Sequence, residues 1–383
     1  MRVLSIVGTR PEAIKMAPLV QALNREPSVH SMLCVSGQHR QMLDQVMSLF
    51  ALQADYDLDI MAPNQTLNGL FGLLVARFDQ VFGGVRPDHV LVHGDTTTAA
   101  AAAVAAFHRG VPVAHVEAGL RTGNLASPFP EEMNRRVVDA ISGLLFAPTL
   151  AARDNLLKEN LAGEIFVTGN TVIDALALTC QRLDDDDARL ANTIAARHAW
   201  LNPRRRLLLV TGHRRESFGE GFERICEALA LLARRADVEI VYPVHLNPRV
   251  RETVMRTLAG IGNVHLIDPL EYLDFVWLMR KAYLVLTDSG GIQEEAPHLG
   301  KPVLVMRDTT ERPEAVAAGT VKLVGTDTNR IVAEVNRLLD DTALYEQCRR
   351  QVNPYGDGRA CQRIVAALCG RPLEDFRPAA RTA

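Results

Sequence analysis

This 383-residue chain lacks the long apolar runs of membrane proteins. No apolar run approaches the roughly 20 residues that span a bilayer. The N-terminal stretch, residues 1–8, is too short an apolar run for a signal peptide, and it predicts a first β-strand. We therefore expect a cytoplasmic protein with no membrane partner.

Metal, disulfide and dinucleotide signatures are also missing. The six cysteines, at positions 34, 180, 226, 348, 361 and 369, form no C-x-x-C pair, and no H-E-x-x-H is present. These absences argue against a zinc site and a disulfide framework. The four aspartates at 184–187 are better explained as a solvated helix end than as a cation site. Because G-x-G-x-x-G is missing as well, we expect no NAD, no metal and no other cofactor.

The net charge of −3 provides no general attraction for nucleic acid. Apolar residues make up 48% of the chain and charged residues 23%, as in soluble globular proteins. At this length two domains are expected.

Short apolar runs alternate with helix-compatible segments along the chain, which predicts α/β architecture. We expect two Rossmann-like doubly wound domains, residues 1–170 and 171–356. A C-terminal helix at about 357–369 would pack back on the first domain. The predicted strands are 3–7, 31–35, 88–93, 111–116, 144–147, 165–167, a series starting at 207, 239–242, 264–267, 284–286, 303–305 and 321–323.

One stretch combines a strand, a glycine turn and a helix. The apolar run 283–286 ends in Thr287-Asp-Ser-Gly-Gly291, and a helix-compatible segment, 292–298, and a further strand follow. Glycines let a ligand approach the backbone, and a helix start favours an anion such as phosphate. Glu294 and Glu295 follow one turn later, where they could accept hydrogen bonds from a ribose. A tight turn with ordinary first-turn acids is the simpler alternative.

Charged residues follow three strands of the first half. Arg10 and Lys15 come after the first strand, where they could clamp a diphosphate. An ordinary surface arginine and lysine is the alternative, and for Lys15 taken alone it is the simpler one. Asp95 follows the third strand, at the expected N-cap of the next helix, and Glu117 follows the fourth. Glu131 opens a later helix. Capping and first-turn placement explain each acid singly, but three carboxylates at one sheet edge would repel one another unless they do chemistry or meet a cation.

The second half has a similar turn, although its sequence is not a repeat of the first half. Its first strand ends in Thr211-Gly-His-Arg-Arg-Glu-Ser217, with basic residues just beyond a glycine turn. His245 follows another strand, as a packed, capping or functional histidine. Arg312 lies on a loop beside the expected phosphate turn.

Six motifs together identify the chain as similar to the bacterial non-hydrolysing UDP-N-acetylglucosamine 2-epimerases. They are GTRPEAIK (8–15), HGDTTT (93–98), HVEAGLR (115–121), PEEMNR (130–135), TGHRRES (211–217) and DSGGIQEE (288–295). The resemblance covers residues 1–369. It implies a GT-B fold with the active site in the cleft between two domains, and a homodimer.

The resemblance also implies interconversion of UDP-N-acetylglucosamine and UDP-N-acetylmannosamine for cell-envelope polysaccharide synthesis. UDP is eliminated to leave 2-acetamidoglucal and is then added back. The implied catalytic residues are Asp95, Glu117, Glu131 and His213. The implied UDP-sugar contacts are Arg10, Lys15, Asp95, Glu117, His213, Leu270, Phe275, Ser289, Gly290, Gly291, Glu295 and Arg312.

Some family members bind a second substrate molecule as an activator. Gln38, Gln41, Glu131, Arg214 and His245 match that allosteric site. Asn64 departs from the pattern, since those members have an arginine there. Leu270 also departs, because some relatives have a glutamine near the uracil.

Other functions share parts of this pattern. A UDP-sugar glycosyltransferase would have the same fold and phosphate turn without needing three carboxylates. A catalytically silent nucleotide-sugar sensor would bind UDP alone. A hydrolysing epimerase would release free N-acetylmannosamine.

Overall fold

The computed structural model describes residues 1–37, 40–62, 65–185, 189–212, 214, 217–350 and 352–378; the side chains of residues 40–42 are not described. The chain divides into two compact units. The first comprises Met1–Ala175 with Tyr355–Pro378, and the second comprises Leu176–Pro354.

The first unit contains a parallel seven-stranded sheet in the order β3-β2-β1-β4-β5-β6-β7. Its strands are β1 Arg2–Val7, β2 His30–Val35, β3 Tyr56–Asp57, β4 His89–His93, β5 Val113–Val116, β6 Leu144–Ala147 and β7 Glu164–Val167. Its helices are α1 Arg10–Asn24, α2 Arg40–Leu49, α3 Leu67–Val85, α4 Thr97–His108, α5 Glu131–Ile141 and α6 Leu150–Lys158, and α7 Thr171–Asp185 starts there and continues into the second unit. Strands β1, β2, β4, β5 and β6 are short apolar runs whose residues are mostly buried, as parallel strands covered by helices require, whereas the two residues of the edge strand β3 are exposed.

The second unit contains a parallel six-stranded sheet in the order β10-β9-β8-β11-β12-β13. Its strands are β8 Arg206–Thr211, β9 Val238–Pro243, β10 Val264–Ile267, β11 Leu284–Thr287, β12 Val303–Val305 and β13 Val321–Leu323. Its helices are α8 Arg189–Arg197, α9 Glu220–Leu232, α10 Pro248–Leu258, α11 Tyr272–Lys281, α12 Gly290–His298, α13 Pro313–Ala318, α14 Thr328–Asp340 and α15 Thr342–Arg349. The last helix, α16 Ala360–Leu368, returns to the first unit and packs against α1.

Each sheet has its own hydrophobic core. In the first unit, α4 is an alanine-rich helix with five consecutive buried alanines, 99–103, and it packs between α3 and α5. Small side chains allow these helices to approach closely. In the second unit, α9, α10 and α14 cover β8 and β9 with branched and aromatic side chains such as Phe222 and Ile331.

Both sheets have a doubly wound strand order, and because their strands are parallel, the carboxyl ends of the central strands lie at the same edge of each sheet. In the first unit β1, β4 and β5 are neighbours, and in the second unit β8 and β11 are neighbours. The residues that follow these strands therefore meet at the edge where open α/β sheets bind ligands. No helix among the described residues is long and apolar enough to cross a membrane.

Candidate active site

The first unit brings Asp95 and Glu117 to one edge of its sheet. His93, the last residue of β4, is in register with Val116, the last residue of β5. Asp95 follows β4 through Gly94, which has a φ of 64°, and Glu117 directly follows β5. The two carboxylates thus leave adjacent parallel strands at the same end, as the sequence predicts.

Glu117 is held by a buried lysine and a buried asparagine. Its backbone has a φ of 69°, a conformation that non-glycine residues rarely adopt. Its Oε2 forms an ion pair with Lys15 Nζ and accepts a hydrogen bond of 2.7 Å from Asn170 Nδ2. Both partners of the ion pair are about nine-tenths buried. A buried carboxylate with a cation and an amide donor keeps a defined direction, which a reacting group needs.

His93 lies beside the same carboxylate. The imidazole is 4% exposed, and its Nε2 lies 3.7 Å from Glu117 Oε2. Burial lowers the pKa of His93 to about 3, so the ring is neutral at physiological pH. Neither ring nitrogen has a hydrogen-bond partner within the described part of the chain.

Asp95 is paired with Arg135 rather than acting as a helix cap. The sequence interpretation placed Asp95 at the N-cap of α4, and this is wrong: the N-cap is Thr96, whose hydroxyl accepts from Ala99 N at 3.0 Å. The Asp95 carboxylate forms an ion pair with Arg135, and Asn134 Nδ2 donates to the Asp95 carbonyl at 2.9 Å. Both partners come from α5, so this helix orients the turn after β4.

Glu131 and Glu132 have different surroundings at the start of α5. Glu131 is the first residue of the helix and is partly exposed. Glu132 is fully buried and accepts from Thr122 N at 3.0 Å and from Gly123 N at 3.2 Å. Burial alone would raise the pKa of Glu132, but these bonds and the Arg135 charge together lower it. Glu132 therefore anchors the loop before α5, whereas Glu131 remains partly exposed at the start of the helix.

A second buried network supports the two carboxylate turns. His115 Nδ1 lies 2.6 Å from Asp139 Oδ1, and His115 Nε2 lies 2.7 Å from the Gly94 carbonyl. Asp139 Oδ2 accepts from Gly119 N at 3.2 Å and lies 2.7 Å from Arg121 Nη1. Burial would raise the pKa of Asp139, but His115 and Arg121 lower it. One carboxylate thus ties together the turns that carry Asp95 and Glu117.

Arg10 is the first residue of α1, directly after the turn that ends β1. Thr9 caps this helix, and the buried Glu12 accepts from Gly8 N at 3.0 Å and from Thr9 N at 2.7 Å. The Thr96 hydroxyl donates to Glu12 at 2.6 Å, which joins the turn after β1 to the start of α4. Burial raises the pKa of Glu12.

In the second unit the expected phosphate turn is a helix N-terminus. α12 begins at Gly290, two residues earlier than the segment predicted from the sequence. Ser289 is its N-cap, but the serine side chain makes no capping hydrogen bond. The turn is held instead by Ser289 N, which donates to Thr287 Oγ1 at 2.9 Å. The first amide groups of a helix without a side-chain cap can donate to an anion.

The two glutamates of α12 are both buried but contact different groups. Glu294 is 1% exposed and forms an ion pair with Arg312. Glu295 Oε1 accepts a hydrogen bond of 2.5 Å from the Tyr272 hydroxyl. Tyr272, at the start of α11, fixes the direction of the Glu295 carboxylate.

The remaining predicted residues are dispersed along the second unit. Leu270 lies just before α11 and Phe275 lies within it, and both are partly buried. His245 is exposed, and its Nδ1 accepts from Asn247 N at 3.1 Å, which makes it a local turn cap. Arg214 N donates to Asp288 Oδ2 at 2.7 Å.

Two predicted residues, and the position where the chain departs from the family pattern, lie outside the described part. His213, Gln38 and Asn64 are outside the described residues, and the side chain of Gln41, the second residue of α2, is not described. Among the described residues, no group of three or more His, Cys, Asp or Glu side chains could hold a metal ion.

Sequence reasoning missed the partners that hold the predicted residues. These are Asn170 and His93 at Glu117, Arg135 at Asp95, Tyr272 at Glu295 and the network around Asp139. Arg135 belongs to the motif PEEMNR, but the sequence analysis assigned it no role.

A family model described as UDP-N-acetylglucosamine 2-epimerase matches residues 21–369. The chain belongs to this family. The Escherichia coli K12 protein named UDP-N-acetylglucosamine 2-epimerase is 58% identical over 370 residues, which cover 96% of this chain and 98% of that protein. A Campylobacter jejuni protein of the same name is 50% identical, with 96% and 97% covered.

Solved structures of 2-epimerases have the same fold. The Neisseria meningitidis UDP-GlcNAc 2-epimerase bound to UDP-GlcNAc has a TM-score of 0.92 at 48% identity, with 97% of this chain and all of that chain covered. The Methanocaldococcus jannaschii enzyme in complex with UDP-GlcNAc and UDP has a TM-score of 0.81 at 33% identity, with the same coverage. These likenesses confirm the predicted α/β, GT-B-like fold class.

Proposed function

We propose that this 2-epimerase interconverts UDP-N-acetylglucosamine and UDP-N-acetylmannosamine without net hydrolysis. The observation that carries the proposal is the pair of carboxylates on adjacent strand ends, Asp95 with Arg135 and Glu117 with Lys15. Family membership supports the substrate.

The chemistry requires elimination, because the C2 proton is not next to a carbonyl group. One carboxylate takes the C2 proton, the C–H electrons form the C1=C2 bond, and the C1–O bond breaks with its electrons on UDP. The intermediate is 2-acetamidoglucal. In the return step the UDP oxygen bonds to C1, and a proton reaches C2 from the opposite face. Acid–base groups on both faces of the ring are therefore needed.

Asp95, Glu117 and Glu131 are the proposed acid–base groups, and His213 assists the departure of UDP. Glu117 is held on one oxygen by Lys15 and Asn170, so its second oxygen has a defined direction. Asp95 is similarly held by the α5 residue Arg135. Fixed carboxylates can transfer protons to and from a bound sugar without first being reoriented.

The second unit is proposed to hold UDP. The start of α12, Ser289 to Gly291, would donate amide hydrogen bonds to the diphosphate, with Arg312 nearby. Glu295, oriented by Tyr272, would accept from the ribose hydroxyls. Phe275 and Leu270 would lie near the uracil, and Arg10, Lys15 and His213 would add positive charge and donors for the leaving group.

The test is NMR of UDP-N-acetylglucosamine incubated with the protein in D2O, with no acceptor, metal or NAD added. The expected product is UDP-N-acetylmannosamine with one solvent deuterium at C2. Glu117→Gln and Asp95→Asn should each lower turnover by about 10²–10⁴-fold, as loss of an acid–base group does. Asp79→Asn is the matched control, because Asp79 pairs with Arg109 on the surface.

Three results would contradict the proposal. Retention of the original C2 proton would exclude the elimination route. Free N-acetylmannosamine as the main product would make the enzyme a hydrolysing epimerase. Wild-type turnover by both carboxylate variants would remove these residues from the chemistry. Thermal unfolding of each variant distinguishes a loss of turnover caused by the missing carboxylate from one caused by unfolding.

A further inference from the structure

A carboxylate lies over the first residue of α12. A methyl group placed on Gly290 would lie 2.8 Å from Glu311 Oε1, closer than non-bonded atoms approach. Glu311 therefore occupies the space above the backbone at the helix start. It belongs to the loop between β12 and α13, of which Asp308 and Thr309 are exposed.

Three arginines surround this carboxylate. Arg307 Nη1 lies 2.8 Å from Glu311 Oε2. Arg214 Nη2 lies 3.5 Å and Arg312 Nη1 lies 4.0 Å from Glu311 Oε1. Burial alone would raise the pKa of Glu311, but Arg312 and Arg307 hold it at about 2. The group is thus an anion throughout the pH range in which the protein would work.

A helix start together with three guanidinium groups suits a phosphate as well as it suits a carboxylate. Arginine forms the same paired hydrogen bonds with either group. A diphosphate on Gly290 and the Glu311 carboxylate would therefore compete for the same space and the same cations, and they would repel each other.

We propose that Glu311 is a built-in anion that fills the diphosphate subsite of the ligand-free protein and is displaced when the diphosphate of UDP enters. This inference rests on the proposed function, since it takes Ser289 to Gly291 as the diphosphate site. The displacement makes binding depend on the charge of the ligand: a diphosphate replaces the carboxylate, whereas an uncharged nucleoside has no means of doing so. It also keeps the arginines in place between turnovers.

The test compares UDP and uridine binding by isothermal titration calorimetry. Glu311→Gln keeps the shape of the side chain and removes its charge. If Glu311 fills the subsite about nine-tenths of the time, its removal lowers the UDP dissociation constant about tenfold, because apparent affinity scales with the competent fraction. Uridine binding should not change. Glu346→Gln is the matched control, since Glu346 pairs with Arg349 and Arg350 on the exposed α15 and should leave UDP binding unchanged.

A second variant separates displacement from simple support of the arginines. Glu311→Asp keeps the charge but is one methylene shorter, so it withdraws from Gly290 and should also bind UDP more tightly than the wild type. If Glu311 only positioned the arginines, both variants would bind UDP more weakly. Weaker or unchanged UDP binding by folded Glu311→Gln overturns the inference while leaving the proposed function intact.

Arg312→Gln tests the proposed site itself. It should weaken UDP binding in both the wild-type and the Glu311→Gln backgrounds. UDP binding that is absent from the wild type, or that is insensitive to Arg312→Gln, would overturn the proposed diphosphate site and this inference with it.

Discussion

Gly119→Ala should lower the free energy of unfolding of the first unit more than Gly123→Ala does. Gly119 follows the Glu117 turn with a φ of 85°, and an added Cβ would lie 2.3 Å from the Ala152 carbonyl oxygen and 2.8 Å from Leu156 Cγ. The Ala152 oxygen is backbone of α6 and cannot move aside independently. The turn must shift instead, together with the Gly119 N–H that bonds to Asp139.

The expected loss in the free energy of unfolding has two contributions, one from the backbone conformation and one from steric overlap. An L-residue with positive φ costs about 1–2 kcal/mol, and a steric overlap with packed neighbours adds about 1–3 kcal/mol. We therefore expect Gly119→Ala to lower the free energy of unfolding by about 2–5 kcal/mol. Gly123→Ala is the matched control, because Gly123 has a φ of 78° but nothing within 4 Å of an added Cβ. It should show only the first part, about 1–2 kcal/mol.

Urea unfolding followed by two signals can assign the loss to the first unit. Trp200 and Trp277 are the only tryptophans in the sequence, and both belong to the second unit. Far-ultraviolet circular dichroism follows both units. We expect Gly119→Ala to shift the dichroism transition more than the tryptophan fluorescence transition. Equal losses for Gly119→Ala and Gly123→Ala would refute the steric argument.

Two further predictions concern pH and assembly. Burial lowers the pKa of Lys301 to about 8 from its usual 10.5. Between these two pH values the unfolded chain binds a proton that the native chain has lost, so this group makes the free energy of unfolding rise with pH. Lys301→Met should therefore raise the free energy of unfolding at pH 7 by about 1–2 kcal/mol, because one pKa unit is about 1.4 kcal/mol and partial exposure screens the effect. The gain should shrink by pH 10 in chemical denaturation, and a gain that does not change with pH would contradict the assignment. The family resemblance implies a homodimer, for which light scattering should give twice the mass of the chain. It also implies activation by a second substrate molecule, for which the rate should depend sigmoidally on substrate concentration. A monomer with hyperbolic kinetics would exclude both.

All strands except β3 were predictable, because each is a short apolar run bounded by turn residues; β3, the exposed pair Tyr56–Asp57, has no such signal and was not predicted. β6, β10, β12 and β13 begin and end where the sequence predicts. A parallel strand covered on both faces needs continuous apolar character, which is visible without the fold. The placement of Asp95 and Glu117 at strand ends follows from the same pattern.

The N-cap of α4 shows where local reasoning fails. Asp95, Thr96 and Thr97 can all cap a helix, so composition alone does not choose among them. Arg135, 40 residues away in sequence, pairs with Asp95 and leaves the cap to Thr96. The ion pair between Arg135 and Asp95, which are distant in sequence, thus determines which residue caps α4.

Hydrophobic periodicity and turn chemistry act over a few neighbouring residues. The alternating strands and helices, and the charged residues that follow the strands, could therefore be predicted from the amino-acid sequence. Which of these groups contact one another depends on the tertiary structure. Lys15 and Glu117 are 102 residues apart in the chain, and Glu311 reaches Gly290 from another loop. Such contacts depend on strand order and helix packing, which bring distant segments to one sheet edge, and no local pattern records them.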